Sequence, residues 1–149
     1  IVVAESDTGN WATSEALTLV ETWLNKHPDV AGVWCANDNM ATGAMQALDA
    51  KGLKGKVGVV GIDANTDVVE AVRDGFAIAT VSSNGYLQGG YTLAICYAAW
   101  AGLIDVSQLP AEYREFATPS LLITKDNAAE YLTSAPTFDF SIPFACKAD

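Results

Sequence analysis

The chain has 149 residues, of which half are hydrophobic, so it is long enough to bury one sizeable core. Eighteen acidic residues against eight basic ones give a net charge of −10, and without a basic stripe this composition argues against a nucleic-acid partner. With three cysteines, no C-x-x-C pair and one histidine, the sequence predicts neither a metal site nor a bound cofactor.

The first predicted elements are a short strand and a helix. Residues 1–4 form a continuous apolar run that predicts a strand, and the turn cluster after it leads into a helix over residues 12–26. Asn10 is a suitable N-cap for this helix, and Pro28 ends it. The chain does not open with the basic and long apolar regions of a signal peptide, so we interpret Ile1 as a position inside a fold.

The next elements repeat this alternation of strand and helix. The predicted strands are residues 31–35, 57–62 and 77–81. The predicted helices are residues 40–51 and 66–74, each followed by a glycine that suits a left-handed helix end, Gly52 and Gly75. The strands are apolar on both faces, which is typical of parallel strands covered by helices on each side. Joined by right-handed crossovers, they predict an α/β fold with a doubly wound parallel sheet.

The later part of the chain is less regular. A helix is predicted from Leu87 to Ala101, followed by the irregular residues 102–119, a strand over residues 120–124 and a helix over residues 127–132. The first of these helices is too short and too often interrupted by glycine and glutamine to span a membrane, so we expect it to be packed. The tail predicts an extended strand with alternating apolar residues, Phe138, Phe140, Ile142 and Phe144.

The three cysteines leave two interpretations open. One disulfide with a free thiol and three buried thiols both fit an odd number of cysteines. Cys35 falls in a predicted buried strand, Cys96 in the apolar helix and Cys146 in the tail. We favour the role of a small hydrophobic residue for Cys35 and Cys96.

Polar residues follow the predicted strands at the points where the strands end. In a parallel sheet these loops open on one edge, which is where ligands bind in open α/β folds. The candidate ligand-binding residues at this edge are Trp11, Asn37, Asp63, Ser83 and Asn84. Structural alternatives exist for three of them, because Asn37 suits a helix cap, Asp63 a turn and Trp11 the core.

Several short motifs together resemble a known family. They are His27-Pro28-Asp29-Val30, Asn37-Asp38-Asn39-Met40-Ala41-Thr42-Gly43, Val59-Val60-Gly61-Ile62-Asp63, Asp74-Gly75 and Ala79-Thr80-Val81. In order and spacing, the chain from about Glu5 to Thr124 resembles the second half of type I periplasmic sugar-binding proteins, and above all the ribose-type substrate-binding subunits of ABC importers. The resemblance implies a non-catalytic protein, periplasmic or extracellular, that binds a small sugar or polyol between two lobes and delivers it to a permease.

The resemblance also implies roles for individual residues. Asn37 and Asp63 would form hydrogen bonds with sugar hydroxyls, and Trp11 would stack on the sugar ring. Amides and carboxylates pair well with hydroxyl groups, and an aromatic face covers C–H surface, so the chemistry agrees with these roles. Ribose binders typically have Gln after the fourth strand, where this chain has Ser83 followed by Asn84, so the identity of the sugar stays open.

The domain organisation implied by the resemblance is incomplete, because the first lobe is absent from this sequence. Residues 1–84 would be part of the C-terminal sugar-binding lobe, without that lobe's opening strand and helix. Residues 85–119 would be a helix and crossover region that belong to the first lobe, and residues 120–149 a C-terminal strand, short helix and tail. The helix from Leu87 to Ala101 would then expose apolar surface, which predicts contact with the missing lobe or self-association.

Two other function classes stay open. A LacI-like transcription regulator has an effector-sensing domain of this fold but needs a DNA-binding helix-turn-helix upstream. A flavodoxin-like enzyme or receiver domain needs a phosphate-binding loop or clustered carboxylates. The sequence has no G-x-G-x-x-G motif or P-loop, but a set of four carboxylates could imitate a magnesium site, Glu5, Asp7, Asp38 and Asp63.

Overall fold

The computed structural model describes residues 1–111 and 117–134. These residues fall into two compact units, which we describe separately. The first unit contains Ile1–Ser83 and the strand and helix that begin at Leu121, and the second contains the described part of residues 84–120. The assignment of residues 1–84, 85–119 and 120–149 to particular lobes stays a prediction. The predicted tail strand and one cysteine lie outside the described residues: Phe138, Phe140, Ile142, Phe144 and Cys146.

The first unit alternates helices and strands. Its helices are α1 (Thr13–Lys26), α2 (Asp38–Ala50), α3 (Thr66–Arg73) and α5 (Ala128–Thr133). Its strands are β1 (Gly32–Trp34), β2 (Gly58–Ile62), β3 (Ala79–Ser82) and β4 (Leu121–Thr124). The second unit contains α4 (Gly85–Trp100) and a short 3-10 helix (Val106–Gln108). Apart from the strand predicted over residues 1–4, the predicted helices and strands within the described residues are present at nearly the predicted positions.

The four strands form one sheet in the order β1-β2-β3-β4. The pairs β1–β2 and β2–β3 are parallel, as predicted. Strand β4 pairs with β3 in the antiparallel direction, with Leu121 opposite Ser82. The direction follows from the path of the chain, since it leaves the sheet at the end of β3 and β4 begins beside that same end.

The ends of α2 and α3 follow from local chemistry. Helix α2 begins after Asn37, whose side-chain oxygen accepts a hydrogen bond from the backbone N–H of Met40 at 2.9 Å. Both helices are followed by a glycine in the left-handed conformation, as predicted, with φ 67° at Gly52 and φ 81° at Gly75. These caps fix where the chain turns back towards the sheet.

Helices α1 and α2 lie against each other, and α2 packs on β2. Gly43 permits the close approach, because a Cβ atom at this position would overlap the carbonyl oxygen of Thr13. The Thr13 hydroxyl also donates a hydrogen bond to the carbonyl oxygen of Asn39 at 2.9 Å. Beneath these helices and α3 lies the core, which includes Val20, Leu24, Ala44, Leu48, Val59, Val68, Val69, Val72 and Ile123.

The sheet has two faces with different surroundings. We call one the helix face, because Gly61 on it lies against α2. The strand register places on this face Val33, Val59, Gly61, Thr80 and Ile123. We call the opposite one the open face, and the register places on it Trp34, Val60, Val81 and Leu122. Trp34 is 71% exposed and Leu122 57% exposed, so the expectation that helices cover each side is met on the helix face alone among the described residues.

The predicted strand over residues 1–4 is not formed. The segment is exposed, and Glu5 at its end pairs with Lys26 at 2.7 Å and with His27 at 3.0 Å, at the C-terminal end of α1. Strand β1 is the outer strand of the described sheet, and a groove of about 1090 Å³ lies between the N-terminal residues, α1 and β1. The prediction was wrong because an apolar run becomes a strand only when a neighbouring strand satisfies its N–H and C=O groups.

The predicted cap of α1 was also wrong. The residue that occupies the N-cap position is Ala12, and no side chain caps the helix there. Asn10 instead has φ 46°, and its side-chain amide donates a hydrogen bond to Glu15 at 2.6 Å. A capping residue needs extended backbone angles, so the left-handed conformation of Asn10 excludes that role.

Helix α4 in the second unit has no buried residue, although it was expected to be packed. It is apolar on all sides, so no single stripe directs it towards a core. Cys96 on this helix is exposed, which contradicts the role of a buried small residue, whereas Cys35 at the end of β1 is buried as expected. These two thiols are free. Among the described residues, no helix combines the length and hydropathy that a membrane span requires.

Candidate functional site

The loops after β1, β2 and β3 meet at one edge of the sheet, the edge at which the parallel strands end. The backbone continues to pair just beyond the strands, because Cys35 N–H donates to the carbonyl of Val60 at 3.0 Å and Asp63 N–H to that of Val81 at 2.8 Å. We call this the binding edge. It brings the loops that carry Asn37 and Asp63 together, as the parallel arrangement predicted.

Asn37 serves as a helix cap and lies close to Trp11. Its side-chain oxygen accepts from Met40 N–H at 2.9 Å, and its amide nitrogen donates to the backbone carbonyl of Trp11 at 3.5 Å. The residue is 7% exposed. The capping alternative is therefore realised, but an amide has a second lone pair and a second hydrogen, so capping leaves donor and acceptor capacity for a ligand.

Trp11 does not belong to the core. The residue is 66% exposed and has φ 61°, directly after Asn10 with φ 46°. Two successive left-handed residues turn the chain sharply before α1, and the turn is closed by a hydrogen bond from Ala12 N–H to the carbonyl of Gly9 at 2.9 Å. The result is an exposed Trp11 side chain on a residue whose backbone carbonyl lies beside Asn37.

Asp63 lies in a strained turn at the end of β2. It has φ 121° and is followed by Ala64 with φ 60°, conformations that cost about 1–3 kcal/mol each in residues other than glycine. Neighbouring groups hold the turn, because Ala64 N–H donates to the Thr80 hydroxyl oxygen at 3.3 Å and Asn65 N–H donates to a carboxylate oxygen of Asp38 at 2.7 Å. Asp63 is thus both a turn residue and an exposed carboxylate at the binding edge.

Asp38 is the buried charge of this region, and the sequence did not reveal it. The sequence suggested Asp38 only as one of four carboxylates that could imitate a magnesium site, but its side chain lies against the sheet and is fully buried. The pKa of its carboxyl is raised to about 6, mainly by burial and also by the negative charges of Asp63 and Asp67, although the hydrogen bonds from Thr80 and Asn65 act to lower it. The sequence feature that could have revealed the burial of Asp38 is Gly61, whose lack of a side chain makes space for this carboxylate. Gly61 can be recognised in this role only once the pairing of the strands is known.

Ser83 and Asn84 follow β3. Ser83 is the last residue of the first unit before the chain enters the second unit, and it is half-buried. The preceding Ser82 accepts a hydrogen bond from the Tyr131 hydroxyl at 3.2 Å, which links the end of β3 to α5. Asn84 belongs to the second unit and has φ 57° before α4 begins. The ligand-binding roles of both residues stay predictions.

The imagined magnesium site does not assemble. Glu5 pairs with Lys26 and His27, at the end of α1 remote from the turn that precedes it. Within residues 1–111 and 117–134, no three His, Cys, Asp or Glu side chains stand close enough to hold a metal ion. Burial raises the pKa of the Cys35 thiol to about 11, with the negative charge of Asp38 adding to the effect, so this thiol is protonated at neutral pH and is a poor nucleophile.

Comparisons with known proteins agree with this architecture. A xylitol-binding protein from Mycolicibacterium smegmatis is 38% identical over 128 residues, which are 85% of this chain and 34% of that protein. A solved ABC transporter solute-binding protein from Bacillus halodurans with bound myo-inositol has a TM-score of 0.76 and 34% identity, over 88% of this chain and 43% of that one. A periplasmic solute-binding protein from Actinobacillus succinogenes with bound D-allose has a TM-score of 0.74 and 28% identity, over 87% and 43%.

The chain thus spans between about a third and somewhat over two fifths of the length of these relatives. The structural similarity confirms the α/β fold class, with its mixed sheet of parallel strands and one antiparallel strand. Residues 1–103 match the family described as the periplasmic binding protein domain, which confirms the resemblance carried by the sequence motifs. The chain belongs to the periplasmic binding protein domain family.

Proposed function

We propose that this chain supplies part of the binding site of an ABC importer's substrate-binding protein and that its ligand is a small sugar or polyol. The observation that carries the proposal is the binding edge, where Trp11, Asn37 and Asp63 occupy adjoining loops. The relatives support the proposal as well. By their names they bind xylitol, myo-inositol and D-allose, all of which are small polyhydroxylated molecules.

The chemistry of the three side chains suits such a ligand. The Asp63 carboxylate accepts hydrogen bonds from two neighbouring hydroxyl groups, and the remaining amide capacity of Asn37 can donate to a third. The exposed indole of Trp11 offers an apolar face for the C–H surface of a sugar ring. Ser83 and Asn84 would add hydroxyl and amide groups from the end of β3.

The proposal covers role, location and partner. The relatives compared above are named as binding proteins, and in our proposal this protein likewise binds its ligand without changing it. It would act in the periplasm or outside the cell, and its macromolecular partner would be the permease of the importer.

The site is incomplete if the ligand is held between two lobes. One lobe supplies only some of the hydrogen bonds and leaves the sugar open to competing water. We therefore expect the 149-residue chain to bind sugars weakly and to self-associate through the apolar surface of α4, whose Tyr86, Leu93 and Trp100 are exposed. Sub-micromolar affinity in a monomer of this chain would contradict the idea of a half-site.

Titration calorimetry tests the proposal with D-ribose, D-allose, xylitol and myo-inositol. We expect at least one of these four ligands to bind to the complete gene product. Sedimentation gives the mass of that product and of the 149-residue chain, and so shows whether each is a monomer. Replacement of Trp11 by Ala should weaken binding by about 1–3 kcal/mol, because the stacking face is lost. Trp34→Ala is the matched control, since Trp34 is equally exposed but lies on the open face. Equal affinities of the wild type and Trp11→Ala would exclude the stacking role.

A further inference from the structure

One buried carboxylate connects three segments of the first unit. Asp38 lies in the first turn of α2 and has no exposed surface. Its Oδ1 accepts a hydrogen bond from the Thr80 hydroxyl of β3 at 2.8 Å, and its Oδ2 accepts one from the backbone N–H of Asn65 at 2.7 Å. Each oxygen therefore has a donor on a different segment, the strand on one side and the loop between β2 and α3 on the other.

The surrounding residues are built to admit this carboxylate. Gly61 of β2 lies directly beneath it, and a Cβ atom at that position would overlap Oδ1 of Asp38. Thr80 extends the network, because its hydroxyl oxygen also accepts the backbone N–H of Ala64 at 3.3 Å. The N–H groups of Ala64 and Asn65 are the two that follow Asp63 in the strained turn.

We propose that Asp38 is a positioning residue: its carboxylate holds the N–H groups of Ala64 and Asn65, directly or through Thr80, and so fixes where Asp63 presents its carboxylate at the binding edge. Asp38 itself is buried and does not touch the ligand. The effect on ligand affinity rests on the proposed function, whereas the effect on the turn rests on the hydrogen bonds alone. Positive φ angles in two successive residues persist only when their surroundings hold them, and this network is what holds them here.

The ionised form of Asp38 is the one that fits the network. Both oxygens act as acceptors. A proton on Oδ2 would face the N–H of Asn65, donor against donor, and a proton on Oδ1 would turn the Thr80 hydroxyl from a donor into an acceptor and leave its hydrogen without a partner in the network. The titratable groups around it are the Cys35 thiol after β1, the Asp63 carboxylate in the loop and the Asp67 carboxylate on α3, which itself accepts from the Thr42 hydroxyl at 2.8 Å. Burial and the two acidic neighbours raise the pKa of Asp38 to about 6, so the network should loosen as the pH falls through that value.

The experiment compares the wild type with Asp38→Asn and with a control, Asp49→Asn, which changes an exposed carboxylate on the same helix. Amide hydrogen exchange and pH titration by NMR follow the N–H groups of Ala64 and Asn65. We expect wild-type resonances that titrate with a midpoint near pH 6. In Asp38→Asn the titration should vanish and exchange at both amides should become about tenfold faster or more. A neutral amide oxygen accepts the Asn65 N–H more weakly than a carboxylate does, and the NH₂ group leaves the buried Thr80 hydroxyl hydrogen without its acceptor. The control should match the wild type.

Affinity for xylitol and D-ribose is then measured on the complete gene product. We expect binding of whichever sugar the wild type accepts to weaken about fivefold to thirtyfold in Asp38→Asn, and to lose the part of its pH dependence centred near pH 6. Asp49→Asn should leave both unchanged. Unaltered exchange at Ala64 and Asn65 in Asp38→Asn would overturn the inference, and so would a sugar affinity equal to that of the wild type.

Two further outcomes separate the possible failures. If the amides respond as expected but the wild type binds none of D-ribose, D-allose, xylitol and myo-inositol, the proposed function fails while the role of Asp38 in the turn stands. If Asp38→Asn does not fold, Thr80→Val replaces it, because this variant removes only the hydroxyl between Asp38 and Ala64. Faster exchange at Ala64 in that variant supports the network, and unchanged exchange refutes it.

Discussion

The two faces of the sheet in the first unit carry similar residues but have different surroundings. On the helix face Ile123 is fully buried, whereas its neighbour Leu122 on the open face is 57% exposed. Val59 and Val60 differ in the same direction, the first buried and the second half-buried. The members of each pair are about equally hydrophobic. An apolar strand therefore shows that both of its faces could be buried, but it does not show which of them is buried in the folded protein. A helix lying over the face decides the matter.

The largest expected difference between the faces concerns neighbouring residues of β4. Ile123→Ala should lower the free energy of unfolding by about 2–5 kcal/mol, because a fully buried side chain leaves a cavity beneath the helices. Leu122→Ala should lower it by less than about 1 kcal/mol, because that side chain already contacts water. Urea unfolding followed by circular dichroism measures both. Similar losses in the two variants would show that another part of the protein covers the open face in solution.

The helix face also carries a buried charge, which predicts a dependence of stability on pH. The pKa of Asp38 is raised from 3.8 to about 6, so the folded state binds this proton more tightly than the unfolded state. The stabilising effect of the proton is complete below about pH 4 and is lost as the pH rises through 6, and it amounts to roughly 2–3 kcal/mol.

Subtracting the unfolding free energy of Asp38→Asn from that of the wild type at each pH separates the contribution of Asp38 from those of the other titrating groups. The difference in unfolding free energy between the wild type and Asp38→Asn should change by that amount between pH 7 and pH 4, with the wild type gaining stability as the pH falls. A constant difference across this range would mean that Asp38 has an ordinary pKa. In that case the ionised carboxylate on the helix face would not lower the free energy of unfolding at neutral pH.

A smaller effect is expected from two glycines of β2 that point to opposite faces. Gly61→Ala places a methyl group against the carboxylate of Asp38, which is held from two sides and cannot move away, so we expect a loss of about 1–3 kcal/mol. Gly58→Ala meets only the end of the exposed Ile78 side chain, which can swing aside, so stability should change by less than about 0.5 kcal/mol. Thermal unfolding distinguishes them, and equal melting temperatures would contradict the assignment of Gly61 to the packed face.

Local sequence patterns were sufficient for most elements of the first unit. Helix α3, for example, has three buried valines on one side and is followed by Gly75, and both features can be recognised in a short stretch of sequence. The binding edge was predictable as well, because the rule that loops after parallel strands share an edge needs no knowledge of packing. The hydrogen bond from the Asn65 side chain, after β2, to the Asn39 side chain, after β1, at 3.3 Å agrees with that rule. The ligand-binding roles remain predictions.

Features that depend on distant partners were not predictable in the same way. Residues 1–4 do not pair with the outer strand β1, and an apolar run alone cannot reveal this. Asp38 shows the same difficulty, because a carboxylate at the start of a helix is usually a cap, and its actual partners Asn65 and Thr80 are 27 and 42 residues away in sequence. Such contacts appear only once the strands are paired.

The return of the chain to the sheet at β4 has a consequence for how the protein can vary in length. Between Ser82 and Leu121 lie 38 residues, yet the two residues face each other in adjacent strands. The entropy of closing such a loop grows so slowly that doubling its length costs only about 0.6 kcal/mol. The sheet therefore constrains where the chain departs and where it returns, but very little of what lies between. Insertions and deletions in this excursion should be tolerated far better than single changes in the strands it connects.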